Sequence, residues 1–441
     1  MDPVTVGIIC IGTLLALMAI GVNIASSFIL AGFLASFLIL SVDAAISFLG
    51  QAAYGSVARP TWAAIPLFIL MGAFCANGGL ARRAYLGTYT MTRRLPGSLM
   101  VATCISCGMF GAISGSSVAT TAMFGRMALP EMDKFGYDRA LSAGCIAASG
   151  TFASMIPPSI MMIVYALFTQ QSVAKLFAAG VIPGLMTVVV YAAVIVLLVK
   201  RRPEYAPTKN KAGEDILQGR GHSKTVVEMW PIFLIAGSVL GGLYGGIVTP
   251  TEAAAVGAVI SLLLAIFLRA FRTVGDVNSA MNESARTTAM LFFLVIGALY
   301  YSRVIALTTL PNVITSSLIS MDVPPFVTLS IIMAVMFVLG MFMVPVGIYA
   351  MTLPLVVPVL IDLGYNPIWF GVIALKLTEI GAVTPPIGLN VFAMKAVIPK
   401  TFNMSVTDIY RGCAPFLLAD LAVLAILVAF PSITLFLPSL L

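Results

Sequence analysis

Long apolar stretches, separated by short polar connections, run along most of the chain. Five of them, at 4–20, 25–40, 176–199, 253–268 and 415–430, contain at most one charged residue each. A helix that crosses a membrane needs about 20 mainly apolar residues, so the pattern predicts about ten spanning helices and some shorter re-entrant pieces. Membrane barrels need strands in which apolar and polar residues alternate, and these stretches are continuously apolar. We therefore predict an all-α polytopic membrane protein.

The composition agrees with this interpretation. Of the 441 residues, 60% are hydrophobic and only 9% are charged, which leaves too little polar surface to cover a water-soluble globule. Asp2 and Pro3 stand where a cleavable signal peptide has basic residues, so the first apolar stretch is expected to remain as a span. The net charge of +7 does not indicate nucleic-acid binding, because in a membrane protein basic residues mark the cytoplasmic side.

A polar segment in the middle of the chain sets the predicted orientation. Residues 200–227 hold a cluster of Lys and Arg residues and the single histidine, His222, and are interpreted as a cytoplasmic linker. With this choice, only Arg59, Lys175 and Arg303 among the basic loop residues fall on the outer side. Both chain ends are then expected on the periplasmic side of a bacterial inner membrane. The linker separates a first half, 1–199, from a second half, 228–441.

The two halves repeat one another. Gly136-Tyr137 and Pro157-Pro158 recur as Gly364-Tyr365 and Pro385-Pro386, in both cases 228 residues later. The predicted orientation makes matching spans run in opposite directions, so the fold is predicted to be an inverted-topology repeat. Such repeats are common in secondary transporters, because two related halves can form one site that opens to either side of the membrane.

Each half is predicted to hold the same series of elements beside its scaffold helices. The first half has an interfacial arm at 79–96, a re-entrant hairpin at 97–129 and a broken helix at 139–168. The second half has an arm at 307–321, a hairpin at 323–361, a broken helix at 367–398 and a last span at 413–437. Glycine, serine and proline interrupt the hairpins and broken helices, and they leave backbone groups that protein, water or a ligand must satisfy. Carbonyl and hydroxyl oxygens suit Na⁺, and the N-terminal ends of half-helices suit an anion.

Six motifs follow one another along nearly the whole chain. They are ISGSSVATTA (113–122), GY (136–137), IPPSI (156–160), IPG (182–184), TPTEAAAVGAV (249–259) and TEIGAVTPPIGLNVF (378–392). Together they resemble the large membrane subunit of tripartite ATP-independent periplasmic transporters, which belong to the ion transporter superfamily. The resemblance implies a sodium-driven importer with an elevator mechanism, in which a scaffold holds a transport domain made of both hairpins and both broken helices.

The resemblance also implies two protein partners, a small four-helix membrane subunit and a periplasmic substrate-binding protein. The chain shows no additional four-helix segment, so the small subunit is expected to be a separate polypeptide. In such systems the binding protein selects the ligand. The membrane subunit therefore limits the substrate only to a small organic anion, a carboxylate or sulfonate, with sugar acids included.

We predict at least two sodium ions, held mainly by backbone carbonyls. One site lies between the first hairpin tip and the first break, and its symmetry mate lies between the second tip and the second break. The assigned residues are Ser114, Gly115, Ser116, Ser117, Gly150 and Thr151 in the first half, and Met343, Val344, Pro345, Gly381, Ala382 and Thr384 in the second. The substrate is expected between the two tips, in contact with Ser116, Ser117, Ser154, Pro158, Thr384 and Pro386.

Three ionisable residues lie within predicted spans, where charges are costly and tend to mark function. Lys376 and Glu379 stand three residues apart on one helix and are interpreted as a neutralising pair, with direct contact to ion or substrate as the alternative. Asp420 in the last span is interpreted as a partner of another group or part of an interface, with ion coupling as the alternative.

Other functions fit the sequence less well. A zinc protease requires H-E-x-x-H, and a Ser–His pair requires a histidine within the membrane, whereas His222 lies in the polar linker. The sequence has no P-loop, so ATP is not expected to drive this chain. Paired broken helices favour alternating access over a passive channel. A stand-alone divalent-anion/sodium symporter, which needs no binding protein, differs only in its partners and stays open.

Overall fold

The computed structural model describes residues 2–207, 227, 229–311, 313 and 324–441, and the regular elements among these residues are all helices. Most of the predicted polar linker, including His222, lies outside the described residues. The same holds for most of the predicted arm at 307–321.

The helices of the first half begin with two long apolar segments and include three short ones around a break. They are α1 (Pro3–Ala19), α2 (Ile24–Ile39), α3 (Val42–Val57), α4 (Ala64–Asn77), α5 (Leu80–Thr92), α6 (Ser98–Ser114), α7 (Ser117–Lys134), α8 (Arg139–Ser149), α9 (Phe152–Met155), α10 (Ile160–Thr169) and α11 (Val173–Arg201). Short polar side chains start many of them. Asp2, Asn23, Ser41 and Asp138, for example, accept hydrogen bonds from first-turn N–H groups and so satisfy donors that have no partner inside the helix.

The second half contains one exceptionally long helix and has a long apolar helix near its end. Its helices are α12 (Trp230–Tyr244), α13 (Pro250–Phe267), α14 (Val274–Leu307), α15 (Pro325–Gly340), α16 (Pro345–Asp362), α17 (Pro367–Gly381), α18 (Leu389–Val397), α19 (Val406–Ala429) and α20 (Pro431–Leu435). Several begin with proline, whose fixed φ and missing N–H suit the first helical position. Capping boxes start α13, α14 and α19.

Six helices among the described residues are long and apolar enough to cross a membrane, and a pair bent by 45° at the first break, Arg139–Met155 with Ile160–Thr169, makes a seventh when it counts as one span. The prediction of about ten spans is higher because it also counted apolar helices that are slightly short of this length. Among these are α1 and α2, which have 17 and 16 residues. The all-α polytopic fold is confirmed.

The two halves pack into each other. Helix α8 lies along α19, α4 along α13 and α2 along α14, so each of these contacts joins the first half to the second. The contact between α8 and α19 is close enough that a Cβ added to Gly144 would lie 2.0 Å from the carbonyl carbon of Gly412. Small residues permit such an approach of two helix backbones within a membrane. The breaks of one half are therefore held against helices of the other.

Candidate functional site

The first hairpin turns sharply between α6 and α7. Helix α6 ends at Ser114, and Gly115 follows with φ +63°, a left-handed conformation that favours glycine. Ser116 then caps α7 by accepting a hydrogen bond from the Ala119 N–H at 3.4 Å. The tip lies against the start of α10, because a Cβ on Gly115 would come within 3.1 Å of the Ile160 side chain.

The first broken helix is interrupted twice. Helix α8 ends at Ser149, the single turn of α9 follows, and α10 starts at Ile160 after Pro157-Pro158, whose peptide bond is cis. Proline removes a backbone donor and disfavours a helical preceding residue, which explains why the helix does not run through. The Thr151 hydroxyl donates to the Ala148 carbonyl at 2.7 Å.

The first tip and the first break lie in direct contact. A Cβ on Gly150 would lie 1.9 Å from Thr121 Oγ1 and 3.1 Å from the Ser117 carbonyl oxygen. One turn further back, a Cβ on Gly111 would lie 2.5 Å from Ala153 Cα. The structure thus brings together the two segments to which the first sodium ion was assigned, and the identity of its ligands stays a prediction.

The second tip and the second break meet in the same way. A Cβ on Gly381 would lie 2.4 Å from the carbonyl carbon of Gly340, and these two glycines stand 228 and 229 residues after Ala153 and Gly111. The Gly388 N–H also donates to the Met341 carbonyl at 3.4 Å. The close backbone contact of each tip with its break therefore follows the spacing of the sequence repeat.

Two polar groups assigned to the second sodium site already make hydrogen bonds within the protein. The Thr384 hydroxyl donates to the Ile380 carbonyl at 2.7 Å, and the Ala382 carbonyl accepts from the Asn390 N–H at 3.0 Å. Val344 is the residue before α16 and has no side-chain oxygen with which to cap that helix. Backbone carbonyls consequently remain the main candidate ligands at this site.

The sequence interpretation missed Tyr410, a residue of α19. Its hydroxyl lies 2.7 Å from the Ile387 carbonyl oxygen and 3.2 Å from that of Pro386, and it is placed to donate to either. These are carbonyls that the second break removes from a helix. No local pattern identifies such a partner, because helix α18 and a loop separate Tyr410 from the break.

We expect Tyr410→Phe to lower the free energy of unfolding by about 1 kcal/mol, the typical contribution of one hydrogen bond. Thermal unfolding of the purified protein measures this as a small decrease in Tm. Tyr365→Phe is the matched control, since that ring stacks on Trp369. Equal melting temperatures for Tyr410→Phe and wild type would contradict the assigned role.

The predicted pairing of Lys376 with Glu379 is wrong. The Lys376 ammonium lies 2.5 Å from Asp420 Oδ1 and 3.3 Å from Thr187 Oγ1, and the Tyr191 hydroxyl donates to the other Asp420 oxygen at 2.7 Å. The ammonium pairs with a carboxylate on a neighbouring helix, α19. The spacing of residues along α17 does not reveal such a partner. Asp420 does have the bonded partner that was predicted from its position within a span.

Glu379 lies about one helical turn after Lys376 on α17. It is 2% exposed, and the hydroxyls of Ser117 and Ser154 lie within interaction range of its carboxylate. Neither carboxylate oxygen, however, makes a hydrogen bond of acceptable distance and angle within the described part of the chain. The predicted substrate residues Ser117 and Ser154 are thus brought together around an acidic group.

A cavity of about 400 Å³ lies beside the first tip, between α4, α7 and α14. Its size suits a small organic ligand. Its polar lining includes Ser114, Ser116, Arg126, Glu283, Ser284 and Thr287. Of the six predicted substrate residues, Ser116 lines this cavity, whereas Ser117, Ser154, Pro158, Thr384 and Pro386 are not part of its wall.

Comparisons with known proteins agree on one family. The family model described as "Tripartite ATP-independent periplasmic transporter, DctM component" matches residues 11–433. A Pseudomonas aeruginosa protein named as a C4-dicarboxylate TRAP transporter large permease is 35% identical over 379 residues, which cover 86% of each chain. An Oleidesulfovibrio alaskensis protein named as an isethionate TRAP transporter permease is 32% identical over 391 residues, 89% of this chain and 60% of that protein. The crystal structure of the Alcanivorax borkumensis YdaH transporter has a TM-score of 0.65 and 14% identity over 89% of this chain and 90% of that one, which shows a shared fold.

Proposed function

The chain belongs to the DctM component family of tripartite ATP-independent periplasmic transporters, and from this premise we propose that it carries a small organic anion across the bacterial inner membrane together with sodium ions. It is a multi-pass membrane protein and a transporter permease, not an enzyme. The observation that carries the proposal is the pair of hairpin tips, each in backbone contact with a broken helix. Broken helices at a repeat interface are the usual place of ion and substrate sites in secondary transporters.

The names of two relatives support the substrate class. One is named for C4-dicarboxylates and the other for isethionate, so a carboxylate or a sulfonate is the chemistry to expect. The cavity beside the first tip has a matching size and includes the Arg126 guanidinium, a group that binds carboxylates well. Because the predicted orientation places Arg126 on the cytoplasmic side, we propose that the imported anion leaves the space between the tips through this cavity.

The coupling ions are proposed to be sodium, bound at the two contacts between tip and break. Ser114–Ser117 with Gly150 and Thr151 would hold one ion, and Met343–Pro345 with Gly381, Ala382 and Thr384 the other. Carbonyl and hydroxyl oxygens at a break can coordinate a hard cation such as Na⁺ in place of water. Alternating access by an elevator movement of both hairpins and both broken helices, with α5 as an arm, completes the proposal.

Two partners are proposed from the family, a small membrane subunit and a periplasmic binding protein. We also propose that both chain ends face the periplasm, because the distribution of basic residues predicts this orientation.

The test is uptake into proteoliposomes that contain the chain with its small subunit, with the purified binding protein outside. Radiolabelled C4-dicarboxylate and isethionate are the probes, suggested by the relatives' names. We expect accumulation only with an inward sodium gradient and with the binding protein present, and none when potassium replaces sodium. Accumulation that persists without the binding protein would favour a stand-alone symporter, and accumulation without a sodium gradient would refute sodium coupling.

A further inference from the structure

One buried acidic group, Glu379, has no ion-pair partner in the part of the chain that the structure describes. Glu379 is 2% exposed, both its oxygens lack a hydrogen-bond partner among the described residues, and its helix, α17, ends at the second break. An ionised carboxylate away from water is very costly unless it is paired and hydrogen-bonded. Either a bound proton or a bound cation must therefore neutralise Glu379 while the protein is folded in the membrane.

The neighbouring charges do not provide that compensation. Within the described residues, the charged side chains that act on Glu379 are Lys376 and Asp420. These two form an ion pair at 2.5 Å, so one positive and two negative groups leave a net charge of −1 in the cluster. A single monovalent cation would neutralise it.

Oxygen atoms at the contact between the first tip and the first break are the candidates to complete such a site. The hydroxyls of Ser117, at the first tip, and Ser154, in the first break, lie within interaction range of the Glu379 carboxylate. Within the described part of the chain, Thr121 Oγ1 is fully buried without a hydrogen-bond partner, and it lies beside Gly150 together with the Ser117 carbonyl. Hard cations prefer such oxygen ligands. The cluster is formed by the tip and break of one half and the broken helix of the other.

The repeat has no second copy of this group. The residue 228 positions before Glu379 is Thr151, a neutral side chain whose hydroxyl donates to Ala148. The first half therefore has no carboxylate at the position equivalent to Glu379. A site that includes Glu379 differs in this respect from the two symmetric sites of backbone carbonyls proposed above.

We propose that Glu379 is the carboxylate ligand of a sodium site across the two halves, completed by the hydroxyls of Ser117 and Ser154. The bound ion neutralises the carboxylate, so that the transport domain crosses the membrane without an uncompensated charge. An anionic substrate near Ser117 would also be repelled by Glu379 unless this ion is in place. The inference rests on the proposed sodium coupling and adds to it a residue with a formal charge.

The experiment measures sodium binding without transport. The full-length chain is purified in detergent, and its Tm and its binding of ²²Na⁺ are followed as NaCl replaces choline chloride at constant ionic strength. A ligand that binds only the folded state raises stability with its concentration. We expect Glu379→Gln to bind one sodium ion fewer per chain and Ser154→Ala to need several-fold more sodium for half-maximal stabilisation. Asp362→Asn, which removes an exposed carboxylate at the end of α16, should behave as wild type.

The outcomes separate this inference from the proposed function. Wild-type protein that binds no sodium and shows no sodium-driven uptake would refute both. Sodium binding by Glu379→Gln with wild-type stoichiometry and affinity would overturn the Glu379 site alone. If Glu379→Gln does not fold, Glu379→Asp and Ser154→Ala decide: the site requires that both shift the sodium dependence, and unchanged curves for both would overturn it.

Discussion

Lys376→Met is expected to lower the free energy of unfolding by about 3 to 5 kcal/mol and to abolish uptake, because it leaves a buried carboxylate without its cation. The side chains of Lys376 and Asp420 are only 3% and 1% exposed, so water cannot replace the lost ammonium. The Tyr191 hydroxyl donates to Asp420 but carries no charge. Thermal unfolding in detergent and uptake in proteoliposomes measure the two effects.

A double substitution tests whether this pair is structural. Replacing a buried ion pair by apolar side chains of similar volume is often neutral or stabilising. Lys376→Met combined with Asp420→Leu should therefore recover most of the Tm lost by Lys376→Met alone. We expect uptake to return with it, because the pair faces Thr187 and Tyr191 on α11 and not the first tip.

The matched control is Lys400→Met, which removes an exposed cation from the connection before α19. It should leave Tm within the small range of surface substitutions. A stable Lys376→Met protein would contradict the structural role of the pair. A double variant that is stable but inactive would assign the pair to transport instead.

Some features of the fold could be predicted because they depend on local sequence. Continuous apolar stretches gave the helices, and the Pro157-Pro158 and Pro385-Pro386 pairs gave the positions of the breaks, since proline acts on its own and the preceding residue. The end of the first hairpin differs from the prediction at Pro130. The predicted hairpin ended at residue 129, yet α7 continues through this proline to Lys134.

Features that depend on packing between distant segments could not be predicted. Lys376 and Asp420 are separated by 44 residues, and Lys376 is closer in sequence to Glu379, so spacing alone favoured the wrong pair. The hydrogen bonds from Tyr410 to the second break and the contribution of α14 to the cavity are of the same kind. In each case both partners stand in the sequence, but their spacing does not show that they meet in the fold.

The repeat carries information that neither half contains alone. Gly111 with Ala153 and Gly340 with Gly381 are equivalent contacts of a hairpin with its break, and in both a backbone touches a backbone. Because the two tips must be held at fixed positions to form one site between them, the same steric requirement should apply to both halves. Substituting Gly381 in the second contact, or Gly111 in the first, tests this requirement.

Gly381→Ala is expected to lower the free energy of unfolding by about 1 to 3 kcal/mol, the usual cost of overpacking, and to reduce uptake at least tenfold. The new methyl would lie 2.4 Å from the carbonyl carbon of Gly340, and backbone cannot turn aside as a flexible side chain can. The second tip must then move away from the break, which separates the carbonyls assigned to the second sodium ion. Tm and the sodium dependence of uptake measure the two consequences.

The sign of the change in the free energy of unfolding shows whether steric conflict or helix propensity dominates in Gly381→Ala. Alanine is favoured over glycine in an exposed helix by about 1 kcal/mol, so a variant without the steric conflict should gain stability. Gly237→Ala provides that control, because a Cβ at Gly237, in α12, meets no atom within 4 Å. Gly111→Ala, with its methyl 2.5 Å from Ala153 Cα, should behave like Gly381→Ala if the two halves share one design. A Gly381→Ala protein that gains stability, as the Gly237 control should, would show that the second tip is not held against its break.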